Sequence, residues 1–286
     1  MPELTLRGRA VSADRALIMA IINRTPDSFY DRGATFAEEV AQQAIKQAIE
    51  DGADVIDIGG VSARPGPEVT VAMEIERVVP TIEWARDQFP DLVISVDTWR
   101  HEVAEQACLA GADLINDNWA ADDPEIIDVA AQFGAGYVCS HTDGLPARTY
   151  PVNRPQFDDV VAAVIDDCTR LAETAVAKGV PREGLMIDPA LDFGKNTMHS
   201  LRLLRDLRKV VDTGWPVLMA ISNKGFIGET LDALIDDRVV GTLACTSIAA
   251  YHGTAMFRAH QVRETRQTVE MVATIAGTRP PARHRP

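Results

Sequence analysis

The chain has 286 residues, enough for one large α/β barrel or two ordinary domains, and a core of this size needs no disulfide or metal staple. Its 46% hydrophobic and 24% charged residues are ordinary for a globular protein, and a formal net charge of −14 argues against nucleic acid or an anionic membrane as partner, since either demands a basic face. The four cysteines (Cys108, Cys139, Cys168, Cys245) form no CxxC pair and read as small hydrophobes; no apolar run approaches the ~18 residues of a membrane span and the N-terminus lacks a signal-peptide core, so a cytoplasmic protein is expected.

Taken in chain order, one unit recurs: a short apolar run ending on polar residues, a helical stretch, a glycine, and the next run. The runs are Leu17–Ile22, Val55–Ile58, Leu92–Val96, Leu114–Ile115, Tyr137–Cys139, Leu185–Ile187, Val217–Ile221 and Ala255–Phe257. Short continuous apolar runs suit parallel strands covered on both faces. Thr35 to Glu38 reads as a capping box that opens a helix running to about Asp51, and Gly111 and Gly253 are placed to end later helices. Eight strands alternating with helices predict a (β/α)8 TIM barrel in a single domain over residues 1–277, followed by a disordered basic tail at 278–286. The competing fold, a doubly wound open sheet, lacks its signature here: no GxGxxG follows the first strand.

A barrel carries its site at the carboxyl ends of its strands, which directs attention to the residues that follow each run. These are Asn23, the stretch Gly59 to Pro65 with Arg64, Asp97, Asn116, His141, Asp188, Lys224, and Arg258 with His260. Any one of them could be a helix cap, but eight strands all ending in hydrogen-bonding groups point to a ligand. Asp97 and Asp188 near Lys224 suit a heterocycle bearing N–H groups and a carbonyl. Arg64, Arg258 and His260 suit phosphate oxygens, and Asn23 is a neutral oxygen ligand for magnesium on a diphosphate.

At these positions the sequence resembles the dihydropteroate synthase family, from about Leu17 to Ile275. The family's N-V-T-P-D-S-F is Asn23 to Phe29; D-x-G-G-E-S-T-R-P-G is Asp57 to Gly66; S-x-D-T is Ser95 to Thr98; I-N-D is Ile115 to Asp117. D-P-G-F-G-F-G-K is Asp188 to Lys195, S-R-K-S-F-I-G is Ser222 to Gly228, and R-V-H-D-V is Arg258 to Val262. The resemblance implies condensation of a dihydropterin diphosphate with p-aminobenzoate. It assigns the pterin to Asp97, Asn116, Asp188 and Lys224, the diphosphate to Arg64, Arg258 and His260, and magnesium to Asn23, with no protein nucleophile. It also implies a homodimer.

The sequence departs from that pattern at informative places. Pattern glycines have become Ala20, Ala190, Ala220 and Asp192, and each added methyl in a filled site costs roughly 1–3 kcal/mol where it cannot relax. Val61, Ala63, Asn223, Gly225 and Gln261 replace a glutamate, a threonine, an arginine, a serine and an aspartate, while Arg24 and Thr142 stand for a valine and a methionine. The expectation is therefore a pterin-binding member with weak or no condensation. The alternatives are an active synthase and a pterin- or folate-binding methyltransferase or non-catalytic ligand-binding protein.

Overall fold

The computed structural model describes residues 4–11, 13–25, 37–62, 66–142, 144–145, 147–148 and 157–283. It opens with a hairpin that no apolar run signals, β1 (Leu4–Leu6) paired antiparallel with β2 (Arg9–Val11). The eight expected strands follow: β3 (Leu17–Asn23), β4 (Val55–Gly59), β5 (Val93–Asp97), β6 (Leu114–Asp117), β7 (Gly136–Ser140), β8 (Leu185–Asp188), β9 (Leu218–Ala220) and β10 (Met256–Ala259). All are parallel in the order β8-β7-β6-β5-β4-β3-β10-β9, and a bridge between Ile187 and Val217 joins the two ends into a ring. The TIM barrel expected from the sequence is what the chain forms.

Strand alternation divides the apolar residues into two cores. Leu17, Met19, Val55, Val93, Leu114, Val138, Met186, Leu218 and Met256 pack inside the barrel, and Leu4 and Leu6 of the hairpin join them as a plug. The residues between them, such as Ile18, Ala20, Ile56, Ile94 and Tyr137, face an outer core shared with the helices. Those helices are α1 (Glu38–Glu50), α2 (Val71–Gln88), α3 (His101–Ala110), α4 (Ile126–Phe133), α5 (Val160–Ala177), α6 (Thr197–Arg205), α7 (Leu207–Val211), α8 (Gly225–Leu231), α9 (Val239–His252) and α10 (Val262–Ile275). Gly111 and Gly253 end α3 and α9 in the left-handed region, at φ 117° and 102°, where a side chain would be strained.

The expected capping box begins at Thr35, outside the described residues, which resume at Ala37. Ala37 occupies the cap position without a side-chain bond, and the Glu38 carboxylate turns to Arg24 (2.9 Å) and the Thr81 hydroxyl (3.1 Å). The cysteines are free thiols: three are buried and Cys245 is half-buried. At the C-terminal end, the Thr278 hydroxyl donates to the Ala273 carbonyl (3.1 Å) and Arg279 pairs with Asp14 (2.6 Å), while 284–286 lie outside the described residues.

Candidate functional site

The alternation that fills the barrel with Met and Leu turns polar at its upper end. Asp57 is two residues beyond Val55, Asp97 four beyond Val93 with Ser95 between, and Asn116, Ser140, Asp188 and Arg258 each two beyond an inward apolar residue. These side chains form one tier. At its centre Arg258, 15% exposed, donates from Nε to Asp57 Oδ2 (2.6 Å) and from an Nη to Asp97 Oδ2 (2.7 Å). Asn116 donates to the same Asp57 oxygen (3.0 Å), and Asn118 donates to the other oxygen of Asp97 (2.7 Å). Burial pushes the Asp97 carboxyl up to about 7; Arg258 opposes the shift and Asp57 adds to it. Burial alone would lower Arg258, but Asp57 and Asp97 together raise it.

Four atoms of this tier are buried without a hydrogen-bond partner among the described residues: Asp57 Oδ1, Ser95 Oγ, Asn116 Oδ1 and Ser140 Oγ. They sit on four successive strands, β4 to β7. A buried polar group left unpaired costs roughly 1–3 kcal/mol, so four on one wall are a built acceptor-and-hydroxyl surface for something that hydrogen-bonds.

The opposite wall carries the lysine. Lys224 follows β9, whose closing neighbour β8 ends in Asp188, so the lysine keeps company with Asp188 and not with Asp97, which belongs to Arg258. The arrangement of both carboxylates around Lys224 expected from the sequence is corrected accordingly. Burial lowers Lys224 while Asp188 and Asp192 raise it; Asp188 is itself raised by burial, with Lys224 opposing. Lys224 Nζ donates to the Leu191 carbonyl (2.5 Å) and lies 5.0 Å from the centre of the Phe193 ring, against which Trp119 packs edge-on at 5.5 Å.

The segment after β8 keeps a glycine-like backbone without the glycines. Ala190 has φ 49° and Asp192 φ 69°; the left-handed region costs a non-glycine residue roughly 1–2 kcal/mol, with Asp and Asn the better tolerated. The Asp192 carboxylate accepts from the backbone N–H of Gly225 (2.5 Å) and of Phe226 (3.3 Å). Asn223, at φ 55° and fully buried, donates to Gln261 Oε1 (3.2 Å), and the Ser222 hydroxyl donates to the same oxygen (3.2 Å). Where the family pattern has arginine and aspartate, this chain carries a neutral amide pair. His260 meets Ser222 Oγ through Nδ1 (3.0 Å), and burial, then Arg258, pushes its pKa down to about 3, so the ring is neutral.

The structure thus brings Asp97, Asn116 and Arg258 into one network and sets Asp188 beside Lys224. His260 stands at Ser222, Asn23 ends β3 in register with Gly59, and Arg64 lies outside the described residues. The alanines do not act alike. Ala220 shares the inward parity of Leu218, but Ala20 packs in the outer core, so it does not crowd the barrel mouth as the sequence suggested. Thr142 lines a cavity of about 280 Å³ with Ser140, His141, Trp119 and Asp167. Lys195 is buried and donates to the carbonyls of His141, Ala190 and Phe193, a structural role. Reading only the ends of the runs missed Asp57, Ser95 and Ser140; a charged residue inside the run V-I-D-I was the available signal.

A family model described as pterin binding enzyme matches residues 19–260. The chain is 58% identical over 283 residues to a protein named inactive dihydropteroate synthase 2 from Mycobacterium tuberculosis (strain ATCC 25618 / H37Rv), covering 98% of this chain and 89% of that protein. Among solved structures it matches the Yersinia pestis dihydropteroate synthase in a sulfonamide drug complex with a TM-score of 0.91 at 34% identity, covering 97% of this chain and 100% of that one. It matches the Xanthomonas albilineans dihydropteroate synthase with 4-aminobenzoic acid with a TM-score of 0.86 at 37% identity, covering 98% and 99%.

Proposed function

The chain belongs to the dihydropteroate synthase family of pterin-binding enzymes, and within it we propose a pterin-binding protein with weak or absent condensation of a dihydropterin diphosphate with p-aminobenzoate. The observation that carries the first half is the set of unpartnered Asp57, Ser95, Asn116 and Ser140 atoms on β4 to β7, beside the Arg258 network with Asp57 and Asp97. It is a buried arrangement of acceptors and hydroxyls, suited to a heterocycle that presents several N–H groups and a carbonyl. The second half is supported by the side of the mouth around Lys224. There the Asn223–Gln261 amide pair, the Asp192 carboxylate and the Ala220 methyl replace what the family pattern provides. The name of the M. tuberculosis relative points the same way.

Condensation of this type expels diphosphate from a pterin-bound methylene, so catalysis lies in stabilising separated charge and aligning the amine. In this chain Arg64, Arg258 and His260 would meet the diphosphate. Asn23 would hold a magnesium ion that neutralises the leaving charge. The donor set fits an ion that arrives on a diphosphate: Asn23 offers one neutral oxygen at a strand end, and the nearby Asp57 and Asp97 are already committed to Arg258. Exposed Ile248 and Tyr251 on α9 and Met271 and Ile275 on α10 support a homodimer through these helices, which sedimentation would detect. No helix among the described residues is long and apolar enough to cross a membrane, and a cytoplasmic small-molecule-binding role accords with that.

Two assays test the reading. Calorimetry with a hydroxymethylpterin should give saturable one-site binding, and product formation from the two substrates with magnesium should be slow or undetectable. Failure to bind any pterin would remove the proposal, and so would turnover at the rate of an active relative run alongside.

A further inference from the structure

In the family pattern a glycine stands at position 192 and a serine at 225; this chain has Asp192 and Gly225. The structure places the two changes in contact. Asp192 Oδ2 sits 2.5 Å from the backbone nitrogen of Gly225, and a Cβ added at Gly225 would lie 3.2 Å from that same oxygen. The polar oxygen has moved from one residue to the other, and the glycine has moved the opposite way to make room for it. The exchange keeps Asp192 in a left-handed conformation, φ 69°, that a glycine would hold without strain.

The exchanged oxygen differs in charge. A serine hydroxyl is neutral and can donate, whereas the Asp192 carboxylate accepts from two backbone N–H groups and stands beside the lysine at the barrel mouth. Lys224 is already flanked by Asp188 and bonded to the Leu191 carbonyl, and Asp192 adds a second carboxylate beside it. The two N–H groups that could meet an incoming anion, those of Gly225 and Phe226, already face the carboxylate. We propose that the Asp192–Gly225 exchange sets the charge selectivity of the Lys224 side of this barrel mouth, rejecting aryl carboxylates and admitting uncharged arylamines. The inference rests on the pterin-barrel reading for its setting, but the charge selection it describes belongs to the protein alone.

The test uses the whole protein and two probes of one shape, p-aminobenzoate and its neutral amide p-aminobenzamide, titrated with and without a hydroxymethylpterin. The variants are Asp192→Asn, which keeps the side-chain shape and tolerates the backbone conformation, and the paired reversal Asp192→Gly with Gly225→Ser. The wild type should favour the amide over the carboxylate by roughly tenfold or more, and both variants should shift that ratio toward the carboxylate by a similar factor. A ratio that is the same in wild type and variants overturns the proposal, as does a carboxylate that binds neither variant. The pterin titration stands apart: its failure would remove the functional reading, while the ratio of the two aryl probes still decides the role of Asp192.

Discussion

Arg258 and Asp57 are 201 residues apart in the chain, yet their side chains meet inside the barrel, Nε to Oδ2 at 2.6 Å. The aspartate is fully buried and the arginine has a second carboxylate, Asp97, on its other side, so one cation holds two anions in a site of low polarity. Breaking such an arrangement by deleting the cation leaves charge uncompensated. Arg258→Ala should therefore lower unfolding free energy by about 3–5 kcal/mol in a urea titration. Adding Asp57→Asn to that variant should restore part of the loss, because it removes one of the stranded charges. An Arg258→Ala protein as stable as wild type would show that the tier is wetter than its geometry indicates.

The raised carboxyl of Asp97 sets a pH dependence of definite sign. Its folded pKa of about 7 lies above the ordinary 3.8, so between these values the folded protein binds the extra proton and this group's contribution to stability falls as pH rises. A ligand that donates N–H groups to Asp97 requires the ionised form, so pterin affinity should rise with pH through about 7 and then level off. Asp97→Asn should bind more weakly and lose the step. Calorimetry from pH 5.5 to 8.5 reads both, and a flat wild-type profile would remove Asp97 from the ligand contacts.

Two alanines that look equivalent in the sequence should behave oppositely. Ala220 points into the barrel, and Ala220→Gly should tighten pterin binding at little cost in stability. Ala20 fills the outer core beside Ile18 and Ile22, and Ala20→Gly should leave pterin binding unchanged while lowering stability by about 1 kcal/mol through lost packing and strand entropy. Parallel titrations and melting curves on the two variants separate the outcomes.

Most of the fold was legible because it rests on a repeated local pattern: apolar run, helix, glycine. The β1–β2 hairpin escaped that reading because Leu4 and Leu6 are too short a run to signal a strand, and only the open end of the barrel gives them something to plug. The site was legible where function ends a strand, as at Asp97, Asn116, Asp188 and Arg258, and illegible where it lies within one. Asp57 sits between Ile56 and Ile58, and its role depends on Arg258 arriving from the far end of the chain. The inward or outward parity of Ala20 likewise needed the register of the whole ring. Asp192 and Gly225 stood in the sequence as two separate departures; only the distance between them makes them a pair.

The same logic of paired change applies to Asn223 and Gln261. The family pattern places arginine and aspartate at these positions, and here an amide donates to an amide at 3.2 Å, with Ser222 and Thr242 completing the cluster. Asn223 is fully buried, so Asn223→Arg alone would insert a cation with no anion in contact and should be strongly destabilising. Gln261→Asp alone places a carboxylate beside Asn223 and Ser222, where burial is less complete and the loss should be smaller. Together they rebuild an ion pair, so the double variant should be more stable than the sum of the single losses by about 1–3 kcal/mol. A urea-unfolding cycle over the four proteins measures that coupling. Simple additivity would mean that the two residues changed independently and that their contact carries no shared constraint.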